Sequence, residues 1–166
     1  MLVGQYRYTV DEKGRVPLNS EHVKHLTTGA LALTAGYNQC IWILNQKDFE
    51  AARSGLKETE LLNPKSLRLR RQFLGCVEYT SADSQNRVRI PELLREIAGL
   101  TGKKNQVVMV GVGQHIECWE KGRWLEYREK ELTDDNLVED ARVLGLWGEG
   151  ARSATRNGGE QNSDGA

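Results

Sequence analysis

The sequence predicts an α+β chain of two tandem, pseudo-symmetric half-domains joined by a helix and followed by an acidic tail. Three observations carry this. The pattern Asp-x-x-x-Arg occurs twice, at Asp11/Arg15 and Asp83/Arg87, 72 positions apart. The run of strand-like and helix-like periodicities after each copy is the same, as a duplicated supersecondary unit requires. Charge then changes sign late in the chain: residues 1–131 hold 20 of the 23 basic and 16 of the 23 acidic side chains, so a mildly basic body precedes an acidic end.

The elements follow in order. An alternating stretch leads into each motif, Tyr-Thr-Val-Asp-Glu-Lys-Gly-Arg-Val at 8–16 and Tyr-Thr-Ser-Ala-Asp-Ser-Gln-Asn-Arg-Val at 79–88. A brief strand comes next (15–18; 87–90), then a helix (20–26; 92–98), a hydrophobic hairpin and a closing helix. The hairpins turn at Gly36-Tyr37-Asn38-Gln39 and Gly111-Val112-Gly113-Gln114, where glycine and asparagine permit positive φ. Leu33-Thr34-Ala35-Gly36 aligns with Val108-Met109-Val110-Gly111, Ile41 with Ile116, Leu44 with Trp119 and Phe49 with Trp124. Between the halves, Asn63-Pro64 reads as an N-cap and first helical position, opening a helix that runs to Leu74 and stops at Gly75. Leu67 and Leu74 fall on one side of it and Leu69 and Phe73 on another, so it is gripped on two sides, between the halves or between protomers. The domains are therefore 1–60, the link 61–75, 76–131 and the tail 132–166. In the tail, Leu137, Ala141 and Leu144 stand at helical spacing, Leu146 and Trp147 are positioned to dock, and disorder is expected from Gly150.

Composition excludes several classes of function. With 166 residues, 39% hydrophobic and 28% charged, the chain is an ordinary globular protein. Its longest apolar run, 107–112, is too short to span a bilayer and residues 1–6 carry no signal-peptide pattern, so a cytoplasmic location is expected. Cys40, Cys76 and Cys118 have no Cys-x-x-Cys spacing and read as reduced core residues. His22 and His25 share a helix face and His115 sits in a hairpin, without a third ligand at metal spacing; neither metal nor cofactor is expected. Asp11 and Glu12 have no nucleophile or base spaced to work with them, and Gly111-x-Gly113 lacks the third glycine of a dinucleotide loop. An enzyme with a small-molecule substrate is not indicated. Trp42, Trp119, Trp124, Tyr6 and Tyr8 read as packing residues rather than base-stacking platforms.

What remains is the duplicated loop. An aspartate at a strand reversal bonds its own downstream N–H groups and fixes the turn, which presents the arginine four positions on. One such Asp–Arg pair is an ordinary surface ion pair. Two, at equivalent places in diverged halves, favour an arginine held for recognition, whose planar fork fits a phosphate, a carboxylate or the O6/N7 edge of guanine. Lys13 and Arg15 flank Gly14, and Arg87 and Arg89 lie on one side of a strand, which suits both clusters to anions.

On these motifs residues 1–132 resemble the MraZ family of bacterial regulators, and each half resembles the AbrB/SpoVT-type (AbrB/MazE-like) swapped-hairpin barrel. The likeness rests on Asp83-Ser84-Gln85-Asn86-Arg87-Val88-Arg89-Ile90-Pro91, Leu93-Leu94-Arg95-Glu96-Ile97-Ala98-Gly99-Leu100, Val110-Gly111, Ile116-Glu117-Cys118-Trp119, and Leu62-Asn63-Pro64 with Arg71 and Phe73-Leu74-Gly75. The resemblance implies a nucleoid-associated transcriptional regulator whose paired loops bind double-stranded DNA. It carries DNA binding onto Asp11, Arg15, Asp83 and Arg87; Lys13, Gly14 and Arg89 complete the candidate site. It further implies a ring-shaped homo-oligomer on G-rich direct repeats upstream of the division and cell-wall operon, with no membrane partner. The second loop departs from the family pattern in Asn86, where glycine is usual, and the first half in Asn19, where proline is usual; Pro17 comes two residues early. An antitoxin-like protein-interaction module of the same fold, using the tail, is the competing reading.

Overall fold

A computed structural model describes residues 1–26, 29–55 and 63–146. The chain forms two compact units, Met1–Trp124 and Leu125–Ala166. In the first, strands β1 (Gln5–Val10) and β2 (Arg15–Pro17) precede helix α1 (Ser20–Leu26), strands β3 (Leu31–Ala35) and β4 (Ile41–Asn45) and helix α2 (Gln46–Ser54). Helix α3 (Pro64–Phe73) links these to β5 (Glu78–Thr80), β6 (Arg87–Arg89), α4 (Glu92–Ile97), β7 (Asn105–Gly111), β8 (Ile116–Glu120) and α5 (Lys121–Glu131).

Strand pairing interleaves the two repeats. The larger sheet runs β1-β7-β8-β4-β3-β5, so the first strand of each repeat lies on the hairpin of the other, and β4 meets β8 at the centre. A second, two-stranded ribbon pairs β2 with β6. β1 shows why these segments are strands: Gln5, Arg7 and Thr9 face solvent while Tyr6, Tyr8 and Val10 turn to the core. Both repeats feed that core. Val16, Leu33, Ile41 and Ile43 from one and Val88, Ile90, Leu94, Met109 and Ile116 from the other are fully buried in it.

The repeats superpose differently from the sequence alignment in one place. Leu33 pairs with Ile43, and its counterpart facing the same core is Met109, which pairs with Cys118. The structural partner of Leu33 is thus Met109, one residue beyond Val108, which pairs with Trp119. The cause is the turn: five residues separate β3 from β4 but four separate β7 from β8. A one-residue slip in a strand exchanges its faces, so the register follows burial rather than residue likeness. The first turn also differs in where it bends. Its left-handed residues are Asn38 (φ 53) and Gln39 (φ 62), while Gly36 has φ −87 and leaves room for the Trp42 ring.

α3 begins as its sequence requires, with the Asn63 side chain accepting from Lys65 N at 2.9 Å and Pro64 in the first turn. Its C-terminal end is anchored on the first repeat. Phe73 packs on Tyr37 and Trp42, Phe73 O accepts from Thr34 Oγ1 at 2.6 Å, and Gln72 Nε2 donates to Gly36 O at 2.9 Å. These partners all belong to the first repeat, and Leu69 remains exposed. Asn63→Ala is expected to lower stability by about 1 kcal/mol through loss of the cap, read as a lower urea midpoint at unchanged m-value.

His22 is buried, with Nε2 2.9 Å from Val3 O and its ring edge-on to Tyr6, whereas His25 is exposed. Among the described residues no cluster of three or more His, Cys, Asp or Glu is arranged to hold a metal. The cysteines are free thiols, and burial pushes Cys118 up to about 12. Trp119 and Trp124 are buried against each other. No helix among the described residues is long and apolar enough to cross a membrane.

In the second unit, α6 (Asp134–Val143) starts at Thr133, whose hydroxyl accepts from Asn136 N, with Asp134 and Asp135 in its first turn and Arg142 in its last. Of the three residues at helical spacing, Ala141 is buried while Leu137 and Leu144 are exposed. Helical order therefore extends well into the acidic tail. Leu62, Trp147 and the segment from Gly150 onward lie outside the described residues.

Candidate nucleic-acid interface

The two loops are built by the same hydrogen bonds. In the first, Asp11 Oδ1 accepts from Lys13 N (2.9 Å) and Arg15 N (2.8 Å), and Oδ2 accepts from Arg15 Nε (2.8 Å) and Nη2 (2.7 Å). In the second, Asp83 Oδ1 accepts from Gln85 N and Arg87 N (both 2.9 Å), and Oδ2 from Arg87 Nε (2.9 Å) and Nη2 (2.8 Å). Asp11 N donates to Arg15 O, and Asp83 N to Arg87 O, each at 2.9 Å. Each turn also needs one left-handed residue just before its arginine. Gly14 supplies it at φ 76 and Asn86 at φ 57, so asparagine does the work of the glycine usual there.

The ribbon sets where the arginines stand. Register places Arg15 opposite Arg89, Val16 opposite Val88 and Pro17 opposite Arg87. Alternation sends the two valines wholly into the core and the three arginines to the other face. Gly14 O accepts from Ile90 N and Asn86 O from Leu18 N, both at 2.8 Å, which ties each loop to the opposite repeat. Six of the predicted site residues, Asp11, Gly14, Arg15, Asp83, Arg87 and Arg89, are thereby gathered on this ribbon and its end loops, with Lys13 exposed at the tip of the first loop.

Each aspartate engages the Nε–Nη2 side of its arginine, so the ordinary ion pair does form. That pairing fixes the guanidinium plane and leaves the Nη1–Nη2 end, a two-donor fork, for an external acceptor. Both arginine side chains keep about a third of their surface exposed, 31% for Arg15 and 29% for Arg87. The bonds also act on the carboxylates. The Arg15 backbone N–H, then its side chain, holds Asp11 below the usual carboxylate range, and the Arg87 side chain, then its backbone N–H, pushes Asp83 down to about 2. A carboxylate depressed on folding stabilises the loop fully above its unfolded value of 3.8 and loses that contribution as pH falls through its folded value. The Asp83 carboxyl resonance is accordingly expected to titrate near pH 2, and Arg87→Ala to return it toward 3.8.

A family model described as "MraZ protein, putative antitoxin-like" matches the chain twice, over residues 1–72 and 73–145. The chain belongs to the MraZ family. Among curated relatives, the transcriptional regulator MraZ of Paenarthrobacter aurescens (strain TC1) is 35% identical over 143 residues, covering 82% of this chain and 97% of the relative. Those of Caldicellulosiruptor bescii and Dictyoglomus thermophilum are 34% and 33% identical, covering 84% and 89% of this chain and 92% and 99% of each relative. All three of these relatives are named as transcriptional regulators. The two MraZ matches meet at residues 72 and 73, near the end of α3, and each contains one Asp-x-x-x-Arg loop.

Sequence reasoning missed one residue that the structure brings to the MraZ loops. Arg95 on α4 lies over Gly14, so close that a Cβ there would sit 3.0 Å from Arg95 Nε and 3.1 Å from Ile90 O. The 72-residue offset that relates the loops gives Val23 as its counterpart on α1. That comparison, arginine against valine, was the available signal.

Proposed function

We propose that this chain is a DNA-binding transcriptional regulator that reads short G-rich direct repeats upstream of the division and cell-wall operon with Arg15 and Arg87. The observation that carries the reading is the twin loop: two guanidinium groups, each clamped by its own aspartate and each with its outer fork unbonded among the described residues, on the exposed face of a ribbon contributed by both repeats. That fork matches guanine O6 and N7, a contact worth about 1–3 kcal/mol against a wrong base. Lys13 and Arg89 add phosphate contacts. The exchange of first strands between repeats supports the AbrB-type swapped-hairpin arrangement for the two halves.

One protomer with a net charge near zero is a weak DNA binder. A ring of protomers solves this by raising the effective concentration of each successive loop on one duplex. Repeat spacing then sets the register. This assembly would act in the cytoplasm at the nucleoid.

Fluorescence anisotropy on the DNA upstream of this gene, intact and with its repeats scrambled, tests the reading. Tighter binding to the intact repeats is expected, with log Kd rising against log salt by about 0.9 for each phosphate engaged. Equal affinity for both duplexes would contradict it. A second reading, a protein-interaction module, is favoured by the exposed Leu137, Val138 and Leu144 on α6. Truncation after Glu131 separates the two: repeat binding survives under the first reading, and under the second a protein partner is lost.

A further inference from the structure

Under the pseudo-symmetry that matches the loops, each end of the β2–β6 ribbon has the same set of positions, but the residues filling them differ in charge. At the first-loop end stand Lys13, Arg89 opposite Arg15, and Arg95 over Gly14. The equivalent positions around the second loop are Gln85, Pro17 opposite Arg87, and Val23. Three cations face three uncharged residues.

Their pairing within the described residues differs too. Arg15 and Arg87 each carry an aspartate partner, which cancels them as net charges. Among the described residues no ion pair joins Lys13, Arg89 or Arg95 to an acid, although Glu12 and Glu92 are near in sequence. Arg95 Nε is buried and, among the described residues, has no hydrogen-bond partner. A guanidinium kept charged and partly desolvated beside a loop backbone is stabilised by an anion arriving from outside the chain.

We propose that the ribbon binds DNA with a fixed polarity: the first-loop end grips phosphate through Lys13, Arg89 and Arg95, while the second-loop end contributes base readout through Arg87 with little phosphate contact. The inference rests on the DNA-binding reading above and adds an orientation to it. A site with one phosphate-gripping end has no two-fold equivalence on the duplex. Every protomer then meets its recognition element facing the same way, which suits repeats that run head to tail and disfavours inverted ones.

The test uses the full-length chain. Arg95→Gln is expected to weaken binding to intact and scrambled repeat DNA by the same factor, about tenfold, and to reduce the log–log salt slope by about 0.9 for each engaged protomer, whereas Arg95→Lys keeps the slope. Methylphosphonate substitution on one flank of the repeat should weaken the wild type more than it weakens Arg95→Gln; on the other flank it should weaken neither. An unchanged salt slope in Arg95→Gln, or equal sensitivity of both flanks, would overturn the polarity. A purely structural Arg95 would lower the melting temperature without changing the slope, and that result also overturns it. The Arg15→Ala/Arg87→Ala double variant is the control for the underlying reading. If it keeps discrimination between intact and scrambled repeats, the base-readout reading fails; if it loses discrimination while Arg95→Gln is silent, the polarity alone fails.

Discussion

Replacing Arg15 and Arg87 together by alanine is expected to weaken binding to repeat-bearing DNA by about a hundredfold or more, with the fold and oligomer size unchanged. The magnitude follows from two bidentate contacts at about 1–3 kcal/mol each, compounded where several protomers engage one duplex. The fold survives for a local reason. Val16 and Val88 hold the ribbon from its buried side, and Asp11 and Asp83 still accept the backbone N–H groups of residues 13, 15, 85 and 87. Circular dichroism and light scattering of the double variant should therefore match the wild type while its DNA anisotropy does not. Loss of both together would assign the arginines a structural role instead.

Gly14→Val is expected to damage the first loop severely, lowering stability by about 3 kcal/mol, while Asn86→Gly leaves stability almost unchanged. The positions are equivalent, and both are left-handed, at φ 76 and φ 57. A β-branched side chain strains that conformation by about 1–3 kcal/mol. At Gly14 its Cβ would also meet Ile90 O at 3.1 Å, a backbone atom fixed by its place in the ribbon. The Arg95 side chain lies equally close and must move, so this variant should also lose salt-dependent affinity. Denaturant midpoints for Gly14→Val, Gly14→Asn and Asn86→Gly give the comparison, with Gly14→Asn between the other two.

The loops were legible in the sequence because their chemistry is local: Asp11 and Arg15, like Asp83 and Arg87, are near enough in the chain for spacing to announce the turn. Asn63-Pro64 announced α3 for the same reason. What was not legible is long-range. That β1 of one repeat lies on β7 of the other, so that both repeats share one sheet, depends on pairings between residues about a hundred positions apart. The one-residue offset that matches Leu33 with Met109 follows from turn length and burial, which residue likeness does not record. Arg95 was hidden by the same limit, since only the folded chain brings α4 over Gly14. For α3, two apolar stripes on its helical wheel imply two partners, and the fold supplies one of them, Thr34, Gly36, Tyr37 and Trp42 of the first repeat.

On the proposed reading the outer forks of Arg15 and Arg87 bond guanine edges, and a thermodynamic cycle tests this at the atoms concerned. Affinities are measured for the wild type and for the Arg15→Ala/Arg87→Ala variant, on repeat DNA containing guanine or 7-deazaguanine, which lacks the N7 acceptor. The prediction is a large loss for the wild type on the modified DNA and almost none for the variant. Equal losses for both proteins would show that those guanidinium groups do not read the base.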